Sequence, residues 1–166
     1  MVPAVFSERA PLMRRTAKTL MAAVMGEAPL PRDIVTRKAL ENAARVVAAT
    51  GGSTNAALHL PAMAHEAGIK FDIFDVAEIF RSTPYIADLM PGGKYTAVDL
   101  FSVGGIPVVM KELLDAGFLH GDCMTVTGKT IAENLKDVVF PENQKVVYRV
   151  ANPISKTGGV VGLKGN

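Results

Sequence analysis

The stretch Asp33-Ile34-Val35-Thr36-Arg37-Lys38-Ala39-Leu40-Glu41-Asn42-Ala43-Ala44-Arg45-Val46-Val47-Ala48-Ala49-Thr50-Gly51-Gly52-Ser53-Thr54-Asn55 decides how this chain folds. Val35, Ala39, Ala43, Val46 and Val47 fall on one side of a helical wheel, which predicts an amphipathic helix with Asp33 as its N-cap. That helix ends at Gly51-Gly52, a pair able to take positive φ. Ser53 or Thr54 then caps a further helix to about Ala67, with Ala57, Leu60, Ala64 and Ala67 inward. Pro61 inside it predicts a kink or a missing hydrogen bond.

Working outward, residues 7 to 26 have helical composition, with Leu12, Thr16, Leu20 and Val24 at four-residue steps, Gly26 as a stop and Pro29-Leu30-Pro31 as a linker. On the other side, Asp75 with Glu78 forms an expected capping box, and Pro84 ends that helix. Residues 85 to 90 suit a short strand before the turn Pro91-Gly92-Gly93. Thr96 with Asp99 opens another helix, Gly104-Gly105 breaks it, and Pro107 suits the first turn of the next, which runs to Asp115 and closes at Gly117. Cys123 to Thr127 reads as extended, and Thr130 with Glu133 caps one more short helix. From about Val138 the texture changes: Val146 to Val150 is strand-like, and the remainder is rich in Gly, Pro and Ser. Leu163-Lys164-Gly165-Asn166 offers no closing element, so the sequence is expected to be a piece cut from a longer polypeptide.

Composition narrows the function classes. Hydrophobic residues at 49% and charged residues at 20% of 166 exclude a disordered chain and allow one core. A net charge of +2 implies neither a nucleic-acid nor a membrane surface, and Arg9, Arg14, Arg15 and Lys18 fit the polar side of a helix. Apolar runs such as Ile106 to Met110 fall far short of the roughly 20 residues that span a bilayer. Glu8 and Arg9 stand where a signal peptide would carry its apolar stretch. With one cysteine, no disulfide forms within the chain, and a cytoplasmic location is expected. A protein-bound iron–sulfur cluster usually needs several cysteine ligands, which Cys123 alone does not supply.

The richest candidate site is Gly51-Gly52-Ser53-Thr54-Asn55. Two glycines let a ligand approach the backbone, a helix start offers free N–H donors to an anion, and Ser53, Thr54 and Asn55 add side-chain hydrogen bonds. A plain helix–helix corner explains the same residues. Val126-Thr127-Gly128-Lys129-Thr130 lacks the earlier glycine of a phosphate-binding loop, since that place is Cys123, and reads as a helix cap. His59 and His65, six residues apart, point about 240° from one another and share no metal on a regular helix. His120, Asp122 and Cys123 adjoin in a turn without a second Cys or His cluster to complete a zinc site. Cys123 as a nucleophile needs a base and an orienting group from elsewhere, so a small buried thiol is expected. Gly158, Gly159, Gly162 and Gly165 do not match a dinucleotide fingerprint.

Taken in order, these motifs resemble one family. Pro31-Arg32-Asp33 through Ala39, Glu41-Asn42-Ala43, and Gly51 to Ala56 are similar to the middle of dihydroxy-acid dehydratases. So are Ala87-Asp88-Leu89 with Pro91 to Tyr95, Gly104-Gly105-Ile106-Pro107 with Met110-Lys111, His120 to Cys123 with Thr127 to Thr130, and Asn152 to Ser155 with Thr157-Gly158-Gly159. Sugar-acid and phosphogluconate dehydratases share much of the pattern. The resemblance implies an α/β fold: residues 1–138 as a helix-rich part of the N-terminal dehydratase domain, and 139–166 as the connection to the first strand of a C-terminal β-barrel. It implies a parent hydro-lyase of valine and isoleucine synthesis, a homo-oligomer using an iron–sulfur cluster and Mg2+ on a dihydroxy acid. The family's cluster cysteines, magnesium carboxylates and carbamylated lysine lie upstream of the matched region, and its serine base lies beyond it. No catalytic or metal-binding residue is therefore carried onto this sequence. The isolated chain is expected to bind no cofactor and to be inactive, with Ser53, Thr54 and Asn55 as its substrate-facing residues.

Overall fold

In the computed structural model, which describes residues 2–163 and 165, eight helices are named among the described residues. They are α1 (Arg9–Val24), α2 (Pro31–Ile34), α3 (Arg37–Thr50), α4 (Ala56–Glu66), α5 (Ile73–Ser82), α6 (Ala97–Ser102), α7 (Ile106–Asp115) and α8 (Ile131–Leu135).

The centre is α3, and its sequence explains why. Alanines at 44, 48 and 49 are completely buried, and their small side chains let neighbours close in from two directions. On one side Leu40, Ala44 and Ala48 meet Leu60 and Ala64 of α4, Phe71, and Val76, Ile79 and Phe80 of α5. On the other, Ala49 joins Ile86, Ala87, Leu100 of α6, Val108, Val109 and Leu113 of α7, and Val146 and Val147. The single stripe expected on this helix is thus two, and Leu40 and Ala44 were missing from it.

Local signals hold where they act over three or four residues. Gly51 ends α3 at φ 58°, with the Gly52 amide donating back to the Val47 carbonyl at 3.0 Å. Thr96/Asp99 and Thr130/Glu133 form the expected reciprocal caps, and Pro107 sits in the first turn of α7. Four expectations shift. Asp33 does not cap α3: its carboxylate accepts the Leu30 amide at 2.8 Å at the start of α2, which begins at Pro31 within the expected linker, and Thr36 caps α3 through the Ala39 amide. The α5 box is Asp72 with Asp75, one helical turn before Asp75 with Glu78. Neither Ser53 nor Thr54 is the N-cap of α4; Asn55 is, with no side-chain cap bond. Cys123 to Thr127 is extended only as far as the Met124–Thr130 bridge, because Thr125 and Thr127 fold into a turn closed by Gly128.

β-Structure among the described residues is confined to isolated bridges. Residues 85 to 89 thread between the end of α3 and residues 146 to 148: the Ile86 and Ala87 amides donate to the Ala49 carbonyl, Asp88 N–H donates to Val146, and Tyr148 N–H donates to Ile86. Val146 to Val150, expected as the opening strand of a β-barrel, forms no strand among the described residues and contributes only the isolated antiparallel bridge Ala87–Val147. The chain then folds back over the helices, where the Gly158 amide donates to Phe80 and the Gly159 amide to Ala48, both at 2.9 Å. A Cβ at Gly158 would stand 2.7 Å from the Phe80 carbonyl oxygen, so glycine is what allows the contact. Of the closing residues read as an unfinished end, Lys164 and Asn166 lie outside the described residues, as does Met1. No helix among the described residues is long and apolar enough to cross a membrane.

Candidate functional site

The corner at Gly51 and Gly52 is brought against the turn after residues 85 to 89. Together they frame a cleft of about 600 Å³, lined by Thr50 to Thr54, Leu89, Met90, Pro91, Ala97, Leu100 and Ile106. The walls are mostly apolar, and the hydroxyls of Ser53 and Thr54 are the polar groups the corner adds. Asn55 does not line it. The donors expected from the helix start are largely spent: the amides of Ala56, Ala57 and Leu58 close tight turns on Ser53, Thr54 and Asn55, and the Asn55 amide donates to Ser53 Oγ at 3.2 Å. The corner is therefore a self-satisfied turn that presents hydroxyls more than backbone N–H groups.

Beneath it lies a residue the sequence did not single out. The Tyr85 ring fits into the gap left by two glycines: a Cβ at Gly51 would sit 3.0 Å from Tyr85 Cε2, and one at Gly159 would sit 3.1 Å from Cδ2. Burial, then the charge of Asp88, pushes the Tyr85 phenol above its ordinary range. Its partners are too distant along the chain to be read from spacing.

A second polar cluster lies at the opposite, N-terminal end of α3. Arg37 donates to Asp75 Oδ1 and to Glu41 Oε1, each at 2.8 Å, and its guanidinium lies 4.9 Å over the Phe71 ring. Glu41 in turn meets His120 Nε2 at 2.7 Å. Burial pushes the Glu41 carboxyl up, but the hydrogen bonds from Arg37 and His120 outweigh it and hold it below the ordinary carboxylate range. Asp75 is lowered chiefly by Arg37, and Asp122 by Lys38, whose Nζ donates to it at 2.6 Å. Cys123 is buried against Asn42, whose amide nitrogen approaches the sulfur at 3.5 Å, and burial followed by the Asp122 charge raises its pKa.

That chemistry bears on metals. Around Cys123 the acids are already engaged, Asp122 by the Lys38 ammonium and Glu41 by the Arg37 guanidinium and a hydrogen bond with His120, and the sulfur faces an amide. No group of three or more His, Cys, Asp or Glu side chains converges among the described residues. His59 and His65 are exposed on α4, apart from His120. The described residues do not form a nest for an iron–sulfur cluster or a magnesium ion.

Comparison with known proteins supplies what the site does not. The family model described as "Dihydroxy-acid/6-phosphogluconate dehydratase N-terminal" matches residues 1–134. The chain belongs to that dehydratase family. Among curated relatives of this dehydratase segment, "Dihydroxy-acid dehydratase 2" of Bradyrhizobium diazoefficiens is 75% identical over 82% of this chain and 24% of its own length. "Dihydroxy-acid dehydratase" of Pelagibacter ubique is 60% identical over 99% of this chain and 28% of its own. The family segment described here thus spans about a quarter of the length of the curated relatives it matches.

Proposed function

We propose that this chain is a scaffold segment of a dihydroxy-acid dehydratase acting in valine and isoleucine synthesis. The observation that carries the reading is the family match over residues 1–134 together with relatives of that printed name along the whole chain. The parent reaction takes a 2,3-dihydroxy acid such as 2,3-dihydroxy-3-methylbutanoate, removes the C2 proton and the C3 hydroxyl as water, and leaves an enol that becomes the 2-oxo acid. Polypeptide outside this segment supplies the iron–sulfur cluster, the Mg2+ and the base. This segment supplies a wall of the cleft, with Ser53 and Thr54 as hydroxyl donors and acceptors toward a polar substrate and Tyr85 as the rigid floor of the corner. Asn55, set outside the cleft, contributes to the helix start. The parent is a soluble, cytoplasmic homo-oligomer, divided near residue 138 into its N-terminal domain and the approach to a β-barrel.

The family model's name also covers 6-phosphogluconate, so a sugar-acid substrate is the second reading. One experiment separates them. Residues 1–166 replace the matching segment of the Pelagibacter ubique enzyme, and the chimera is assayed on 2,3-dihydroxy-3-methylbutanoate and on 6-phosphogluconate. Turnover of the branched acid with a loss of about tenfold or more in Ser53→Ala/Thr54→Ala is the expected result. A folded chimera turning over only the sugar acid refutes the assignment. The isolated chain, reconstituted anaerobically with iron and sulfide, is expected to hold no cluster and form no oxo acid; turnover by it alone refutes the scaffold reading.

A further inference from the structure

One aromatic ring lies against three separate segments of this chain, and two of them frame the cleft. A Cβ at Gly159 would stand 3.1 Å from Tyr85 Cδ2, one at Gly51 would stand 3.0 Å from Cε2, and one at Gly92 would stand 3.8 Å from the hydroxyl. From base to tip, the ring therefore meets the connector of residues 154–159, the corner and the turn in succession. Gly51 lines the cleft on the side of the corner, and Pro91, next to Gly92, lines it on the side of the turn. With no Cβ at any of the three places, backbone closes onto the ring, and a close-packed aromatic spacer yields little.

The connector grips Tyr85 by its backbone. The Tyr85 amide donates to the Ser155 carbonyl at 3.0 Å, and the Ile154 amide donates to the Tyr85 carbonyl at 2.9 Å. The Gly159 and Gly51 amides share the Ala48 carbonyl, at 2.9 and 3.3 Å, so connector and corner are also tied at one acceptor. The hydroxyl is not what the position uses. Tyr85 Oη is buried and has no hydrogen-bond partner among the described residues. The Leu89 amide lies close to it but is donated to the Ala87 carbonyl at 2.9 Å. A buried hydroxyl left unpaired opposes folding, so the bulk and shape of the ring outweigh it.

We propose that Tyr85, held by the connector, is a positioning residue: its ring sets the distance between the Ser53–Thr54 corner and the 89–91 turn, and with it the place at which those hydroxyls meet a dihydroxy-acid substrate. The inference rests on the reading of this cleft as part of the substrate site. Tyr85 touches no substrate. It acts through Ser53 and Thr54, which follow directly on the two glycines of the corner. A misplacement of about 1 Å can cost on the order of 100-fold in rate, so losing the ring is expected to cost as much as losing the hydroxyls.

A mutant cycle in the chimeric holoenzyme carrying residues 1–166 tests this. Tyr85→Leu is expected to lower kcat/KM on 2,3-dihydroxy-3-methylbutanoate by about tenfold or more. Gly159→Ala, which drives a methyl group at both the ring and Gly51, is expected to give a loss of the same kind from the connector side. Combined with Ser53→Ala/Thr54→Ala, neither adds more than about twofold, because a displaced hydroxyl and a missing one are the same loss. Tyr85→Phe is expected to recover the loss of Tyr85→Leu to within about twofold, with no fall in Tm. Circular dichroism and iron content identify the folded, loaded variants; where Tyr85→Leu does not fold, Tyr85→Met takes its place in the cycle. Losses at Tyr85 and at Ser53/Thr54 that multiply would mean that the ring serves stability alone, and they overturn the proposal. So does a Tyr85→Phe as impaired as Tyr85→Leu, or a Tyr85→Leu that loses nothing. If Ser53→Ala/Thr54→Ala itself costs nothing in an active chimera, the reading of the cleft is wrong, and the positioning role goes with it.

Discussion

Replacing Glu112 by alanine removes the one buried carboxylate among the described residues and with it the hold of α7 on residues 149 and 150. Glu112 is 9% exposed, accepts the Val150 amide at 2.8 Å through Oε1, and takes Arg149 Nη1 at 3.0 Å through Oε2. Breaking a fully buried pair costs about 3–5 kcal/mol, since the surviving charge stays buried and unpaired. Here the survivor escapes: Arg149 has a side chain 48% exposed, lies 3.7 Å over the Phe140 ring and reaches Glu142, so it rehydrates when Glu112 is gone. What remains is the lost bond between a backbone amide and a charged acceptor, about 1.5–3 kcal/mol, and a small cavity. The expected cost is about 2–3 kcal/mol, a fall in Tm of roughly 5–10 °C for a chain of this size. Arg149→Ala should cost less, about 1 kcal/mol, because Glu112 keeps the Val150 amide. Glu112→Gln should lie between them, its amide oxygen still able to accept from Val150. Urea titration followed by circular dichroism and tyrosine fluorescence ranks the three. If Arg149→Ala destabilises as much as Glu112→Ala, the ion pair and not the backbone bond carries the clasp, and the reasoning fails.

Three further outcomes follow from the geometry. Glu41 and Asp75 are held below their unfolded values, so the stability they add is complete above about pH 4.5 and disappears as pH falls through their folded values; urea midpoints measured from pH 6 to pH 2.5 should fall at the acid end, and Arg37→Met should flatten that fall. Gly158→Ala would place a Cβ 2.8 Å from that of Ala48 and should cost about 1–3 kcal/mol, with limited proteolysis showing earlier cleavage between residues 150 and 163 while helical content is retained. Cys123, buried and with its pKa raised, should react with a thiol reagent at pH 8 at least about tenfold more slowly than in urea; equal rates would mean that the thiol lies open.

What could be read along the chain was whatever is settled within one helical turn. Gly51 must stop α3 because only a residue without Cβ takes φ 58° cheaply, and Thr96 with Asp99 or Thr130 with Glu133 can close a cap without help from elsewhere. The collinear motifs likewise disclosed the dehydratase family before any coordinates. Where two local solutions were equally good, sequence had no means to choose. Asp72/Asp75 and Asp75/Glu78 are both boxes, and the tie is broken by Arg37, which holds Asp75 from another helix, and by burial of Val76, Ile79 and Phe80. The same holds for Asp33 and Thr36. Tyr85 under Gly51, Glu41 against His120 and Glu112 clasping Val150 join residues 34, 79 and 38 positions apart. Such pairs carry no periodic trace, because their free energy comes from removing specific polar and aromatic groups from water together, and only the packed chain decides which groups those are.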